Sequence, residues 1–191
     1  CLNLSNKITP NPKGSYSKKL SYRIQFGNVL LYKWLTKIGL MPRKTSRLAE
    51  IKTPNKFMRD FLRGHLDGDG SIVVYKDRYN TFKNPRYIYE RLYVNFISSS
   101  PKHINWISDK LKTILNIKGS LNSYKKAGRN KNAKTMWKLR FAKYESLKLL
   151  SWIYYKQNLP CLIRKRNIAL RVLRKNSINN FKVSTPSPGI I

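Results

Sequence analysis

Apolar and polar residues recur at two periods along this chain, and the switches between the periods mark its elements. Residues 20–26 alternate, with Tyr22, Ile24 and Phe26 on one side and Arg23 and Gln25 on the other, as in a half-buried strand. The polar stretch before them, residues 1–20, reads as loop. Residues 29–38 have helical spacing that stops at Gly39, with Pro42 just beyond. Pro54-Asn55 opens a second helix, whose Phe57, Met58, Phe61, Leu62 and Leu66 recur at three and four. Residues 71–75 predict a strand and a polar loop runs through Pro85. A second strand, 92–97, turns Leu92, Val94 and Phe96 inward and Tyr93 and Asn95 outward with Arg91. Ser100-Pro101 caps a helix carrying Ile104, Ile107, Leu111 and Leu115. A Lys/Asn/Gly-rich hairpin, 121–135, leads to a strand at 136–141 and a helix at 144–155. A basic helix follows at about 162–174, and residues 176–191 are expected to be a flexible tail.

Part of this pattern occurs twice. Tyr22-Arg-Ile-Gln-Phe26 precedes a helix with Trp34, then Leu40, Pro42 and Arg43-Lys44. Trp137-Lys-Leu-Arg-Phe141 precedes a helix with Trp152, then Leu159-Pro160 and Arg164-Lys165. The offset is 141 − 26 = 115 residues. The expected organisation is therefore the C-terminal part of a first repeat in 1–53 and a complete repeat in 54–175.

Charge narrows the partner. Forty Lys and Arg stand against eight Asp and Glu, a net charge of +32. A solvated surface mixes signs, whereas this excess runs along the whole length and suits a polyanion whose counterions are released on binding. The cations are not confined to one amphipathic helix and no apolar run reaches spanning length, so no membrane partner is expected. Cys1 and Cys161 are too few for a disulfide framework or a zinc site, which implies a reducing intracellular compartment. No signal peptide is visible, and the first residue is not Met. The Lys, Asn, Ile and Tyr bias points to an AT-rich genome, that of a mitochondrion, a chloroplast or a bacterium.

Against this background two of the eight acids sit two residues apart, in Asp67-Gly68-Asp69-Gly70-Ser71. They stand where a helix runs out into a strand. A helix C-terminus carries partial negative charge, so carboxylates there call for a cation among them. A calcium loop of the EF-hand kind fails, since Ile72 stands where its Gly belongs and Arg78 where its Glu belongs. A structural turn that favours Asp and a divalent-metal site for phosphodiester cleavage both remain open. Gly64 and Gly68, four apart beside Phe61 and His65, favour the metal site. Two helix-interior glycines cost about 1 kcal/mol each relative to Ala, and small residues at this spacing let two backbones approach. A matching helix there would set two acidic turns side by side.

Leu62-Arg-Gly-His-Leu-Asp-Gly-Asp-Gly70 resembles the signature of the LAGLIDADG homing endonucleases, and the order of elements from 54 to about 174 resembles one αββαββα repeat of that family. The resemblance implies an α+β fold whose curved antiparallel sheet saddles DNA, with the second, N-terminal repeat only partly present. It implies Asp69 as the metal ligand, with Gly68 lending its carbonyl, Mg²⁺ as the cofactor and Asp67 as a structural acid. Phe61, Gly64, His65 and Gly68 would form the repeat-interface helix, facing a second repeat or a homodimer partner. The family places a water-ordering polar residue, commonly Gln, at the end of the second strand, where Ser100 stands here. Its charge-stabilising Lys near the end of the fourth strand is matched by Arg140, with Lys138 on the same face. An Arg there acts electrostatically and not as a proton donor. Gln25 holds the equivalent place in the first copy.

Alternation assigns the DNA-reading face: Tyr75, Asp77, Arg91, Tyr93 and Asn95 from two strands, Lys138 and Arg140 from a third, Lys125, Lys126 and Arg129 from the hairpin, and Arg23 and Gln25 from the first copy. Such side chains reach base edges in the major groove, while most other Lys hold phosphates. The leading expectation is a site-specific double-strand DNA endonuclease. The alternatives are a non-cleaving binder on the same fold, such as an intron-splicing maturase with intron RNA as partner or a DNA-binding regulator, and a ribosomal-type RNA-binding protein, which leaves the Asp-Gly-Asp turn without a purpose.

Overall fold

The computed structural model describes residues 5–11, 22–42, 44–125 and 134–183, and divides into two units, Cys1–Ile38 and Gly39–Ile191. In the first unit, β1 (Thr9–Pro10) pairs antiparallel with β2 (Tyr22–Arg23), and α1 spans Val29–Lys37. Asn28 caps α1, its side chain accepting the Leu31 N–H at 2.8 Å. This differs from the expected strand over 20–26. Gly27 and the Asn28 cap turn the chain into α1 too soon for a long ladder, and its partner Thr9–Pro10 lies in the expected loop. Tyr22, Ile24 and Phe26 are exposed, because a ladder of two residue pairs covers neither face.

The second unit begins with α2 (Met58–Gly68), entered through a 3₁₀ turn at Asn55–Phe57. Then come β3 (Ser71–Asp77), β4 (Tyr89–Ser98), α3 (Pro101–Leu115), β5 (Ser120–Lys125), β6 (Thr135–Phe141), α4 (Lys143–Ile153) and α5 (Ile163–Val183). The sheet order is β3-β4-β6-β5, antiparallel throughout. One face carries Leu92, Val94, Phe96, Leu139 and Phe141, all buried, and the helices supply Leu62, Leu66, Ile104, Ile107, Leu111, Leu149 and Leu150 to the same core. Each such side chain stabilises the fold by about 1.5–3 kcal/mol. The mixed α/β architecture with an antiparallel sheet is the expected one, and β5 occupies the start of the expected hairpin.

Two connections matter for the site. The β4–β6 ladder begins at Val94↔Phe141, and the buried Ser146 of α4 closes it. Its Oγ accepts the Val94 N–H at 3.0 Å and donates to the Phe141 carbonyl at 2.9 Å. The segment 45–51, expected with the first repeat, packs in the second unit. Ile51 is buried, and the carbonyls of Leu48 and Ala49 accept from Ser100 Oγ and from His103 Nδ1 at the start of α3. Helix α5 continues to Val183, beyond residue 176 where a tail was expected. Among the described residues no helix is long and apolar enough to cross a membrane.

Candidate functional site

Met58, Leu62 and Leu66 are buried along one side of α2, so the apolar stripe that makes the helix also fixes where it ends. The Asp69 N–H donates to the His65 carbonyl at 3.0 Å and the Gly70 N–H to that of Leu66 at 3.1 Å, which closes the last turn. A Cβ on Gly70 would lie 2.8 Å from the Asn95 carbonyl oxygen and 2.8 Å from the Leu66 Cα. The turn therefore passes against β4 with no room for a side chain.

The two acids part company here. Asp67 accepts the Leu162 N–H at 2.8 Å and the Tyr154 hydroxyl at 3.3 Å, which ties the turn to the α4–α5 connection. Burial, and then the neighbouring Asp67 carboxylate, push the Tyr154 phenol well above its ordinary value, so it remains a donor. Asp69 is exposed, and its carboxylate makes no hydrogen bond or ion pair among the described residues. Local sequence cannot separate them, since the partners of Asp67 come from 87 and 95 residues away.

The cation that the helix end calls for is within the chain. Lys165 of α5 is only 4% exposed, and its ammonium donates to the carbonyls of Leu66 at 2.6 Å, Asp67 at 2.8 Å and Gly70 at 2.7 Å. All three N–H groups are used. This corrects the expectation that a metal ion balances the helix terminus: an ammonium does so. Burial lowers the pKa of Lys165, and Asp67 and Asp69 oppose that shift. A signal was present, because Lys165, Ala169 and Val172 fall at helical spacing, and a lysine in an otherwise buried stripe needs partners.

Beyond the turn, register brings one row of polar residues together. Ser71 pairs with Asn95, Asn95 with Arg140 and Arg140 with Ser120, across four strands. The Asn95 Nδ2 donates to Ser71 Oγ at 3.0 Å, and the Arg140 Nε donates to Asn95 Oδ1 at 3.2 Å. Asn95 was expected to read bases. At 3% exposure with both amide ends engaged, it holds Arg140 instead. Arg140 also lies over the Tyr93 ring, 4.8 Å from its centroid. Two strand spacings separate Ser71 from Arg140, about 10 Å.

The same face carries Tyr75, Asp77, Arg91 and Tyr93 as expected, together with Lys138. Asp77 and Arg91 are joined at 2.9 Å, so they form a pair and not two independent base contacts. The Tyr79 N–H and then Arg91 hold the Asp77 carboxyl below its ordinary value, and Asp77 raises Arg91. Tyr75 stacks on Tyr93 with ring centroids 6.3 Å apart. Asn122, Tyr124 and Tyr89 share this face and were missed. The first two alternate within a stretch taken as hairpin, and Lys138 lies over the Tyr124 ring at 5.6 Å. Lys125 pairs with Thr135, one residue out of step, which places it on the opposite face by register. Lys126 and Arg129 lie outside the described residues. Arg23 and Gln25 belong to the first unit, and Gln25 lies past the end of β2.

Ser100 is not a water-ordering group. It is 1% exposed and caps α3, accepting the His103 N–H at 3.4 Å and donating to the Leu48 carbonyl. The expected interface stripe divides in two. Gly64 and Gly68 are exposed, with nothing within 4 Å of an added Cβ. Phe61 and His65 turn into their own unit, where His65 stacks on His103 at 5.4 Å and packs edge-on against Phe96, and Phe61 meets Trp106 edge-on. The His65 Nε2 lies 3.2 Å from the Ile97 carbonyl and donates to it, since a carbonyl only accepts. Burial lowers its pKa, against smaller raising effects of that hydrogen bond and of Asp69.

Hard oxygen donors suit Mg²⁺, and Asp69 with the Gly68 carbonyl offers such donors at an exposed position. Among the described residues no group of three His, Cys, Asp or Glu gathers to hold a metal. The donor set fits part of a Mg²⁺ shell and is too small to fill one.

No family model matches the chain, and no curated protein matches it. Among solved structures it is similar to the homing endonuclease I-CvuI in complex with its target, with 20% identity over 67% of this chain and 71% of that one and a TM-score of 0.44. It is similar to the homing endonuclease I-TnaI, at 17% identity over 65% and 74% with a TM-score of 0.42. It is also similar to the archaeal intron-encoded homing endonuclease I-Vdi141I complexed with DNA, at 15% identity over 72% and 91% with a TM-score of 0.40. At these identities and TM-scores the likeness assigns no role to any residue of this chain.

Proposed function

We propose that this chain supplies one half of a metal-dependent, site-specific DNA endonuclease, the other half being a second acidic turn from a further repeat or from a second copy. One observation carries the reading: Asp69, with a carboxylate unpartnered among the described residues, stands two residues before the start of a cationic, tyrosine-bearing sheet face whose first row holds Arg140. The sheet face binds the duplex, with Arg91, Lys138 and the tyrosines at the groove and the remaining Lys on phosphates. Asp69 and the Gly68 carbonyl would hold Mg²⁺, which when bound activates water and neutralises charge on the scissile phosphate. Arg140, fixed by Asn95, stabilises the added negative charge on phosphorus and keeps its own proton.

A non-cleaving binder of DNA or intron RNA is the second reading. It is favoured by the cationic sheet face, which needs no metal to bind a phosphate backbone. The deciding experiment incubates the protein with randomised duplexes and Mg²⁺ and sequences any cut ends. Asp69→Asn should retain duplex binding and abolish cleavage. Persistent cleavage by that variant would remove Asp69 from the site, and wild-type binding without any cleavage, both alone and joined in one polypeptide to a second copy of the acidic turn and sheet, would establish the second reading.

A further inference from the structure

Lys165 is a buried charge that the reading above does not use. Lys165 reaches the acidic turn from α5, and its three hydrogen bonds go to carbonyls on both sides of Asp69: Leu66 and Asp67 before it, Gly70 after it. The ammonium thus spans the turn as a bracket. With every donor engaged, it has none left for the Asp69 carboxylate. It also passes over the Gly68 carbonyl. The Asp67 side chain is held separately, by Tyr154 and by the Leu162 N–H three residues before Lys165. Of the oxygens at this helix end, the α4–α5 segment occupies those of Leu66, Asp67 and Gly70 and, among the described residues, donates to neither the Asp69 carboxylate nor the Gly68 carbonyl.

We propose that Lys165 is a positioning residue of the metal site, an internal cation that takes the place a solvent ion would otherwise occupy at the end of α2 and so fixes which oxygens remain to ligate Mg²⁺. This extends the endonuclease reading, and its metal arm rests on it. The physical reason is the helix terminus itself. Its unpaired carbonyls attract any cation, and an ion drawn onto Leu66, Asp67 and Gly70 would sit away from the scissile phosphate. An ammonium tethered by four methylenes satisfies them without offering a coordination position. At Gly70 the turn passes so near the Asn95 carbonyl that a Cβ would not fit.

The test uses the full chain with two substitutions. Lys165→Met keeps the length and removes the charge, and Lys165→Ala opens the space that the ammonium fills. By hydrogen–deuterium exchange, amides 68–72 of Lys165→Met should lose protection by about tenfold or more while those of 104–111 in α3 keep theirs. The Mg²⁺ concentration for half-maximal cleavage should rise about 10-fold to 100-fold, as for other outer-shell partners, with metal-free duplex affinity unchanged. Propylammonium should restore protection to Lys165→Ala, and tetramethylammonium, which has no N–H, should not. Unchanged exchange at 68–72 overturns the proposal. So does loss of protection spread equally over 104–111, which would make Lys165 a general packing residue. Should the wild type never cleave, even when joined to a second copy of the acidic turn, the endonuclease reading falls, and exchange with amine rescue still decides whether Lys165 sets the turn.

Discussion

Asn95 lies in the middle of the sheet with one amide end on Ser71 and the other on Arg140. A leucine, of the same branched shape, would leave a hydroxyl and a guanidinium N–H without partners, a cost of about 1–3 kcal/mol. Asn95→Leu should therefore lower the unfolding midpoint and let Arg140 swing while its charge persists. Binding of the duplex should hold, and single-turnover cleavage should fall by up to about 100-fold, since misplacement near 1 Å has that effect. A gel-shift titration beside a cleavage time course checks both, and equal losses in the two would rule out a positioning role. The same scale explains why sequence reading gave Asn95 to the bases and not to Arg140. Alternation turns Asn95 outward, which is correct, yet Ser71 and Arg140 become its neighbours only through pairing with two other strands.

Elements meet this site through α2, which is anchored in three directions. Arg63 donates to the Pro160 carbonyl at 3.0 Å and pairs with Asp60 at 2.8 Å, Lys165 closes the C-terminus, and His65 joins the helix to β4 through the Ile97 carbonyl. Burial holds the pKa of His65 below 6.5, so below that pH the unfolded chain takes up a proton that the folded chain resists. Stability is then complete above pH 6.5 and declines as the pH falls below it, by at most about 1.4 kcal/mol per unit from this one group. His65→Gln, which retains a donor for Ile97, should flatten the dependence of the denaturation midpoint between pH 7.5 and 5. An unaltered slope would assign that dependence to other groups. The helices themselves were legible, because three- and four-residue spacing survives in any context. The strand over 20–26 was not, since alternation yields a ladder only where a partner of matching length lies alongside, and β1 offers Thr9–Pro10 alone.

For the molecule as a whole, a charge of +32 with Arg91, Lys138 and Arg140 on one sheet face predicts binding dominated by phosphate. Affinity for duplex DNA should fall about 10³-fold between 50 and 200 mM salt if some six phosphates are contacted, a slope near −5 in log–log form. Fluorescence anisotropy across that range measures it, and a slope shallower than −2 would mean that the basic residues do not track the backbone. The amino-acid sequence by itself determined the cationic excess, the inward and outward sets of β3, β4 and β6, and the turn that carries the acids. Each of these follows from composition or from a period a few residues long. Only the tertiary structure decided that Asp67 is bound and Asp69 free among the described residues, that Asn95 holds Arg140, and that an ammonium from 95 to 99 residues away closes the helix end. Those outcomes depend on which distant donor arrives beside each oxygen, and no local pattern records an encounter between segments so far apart.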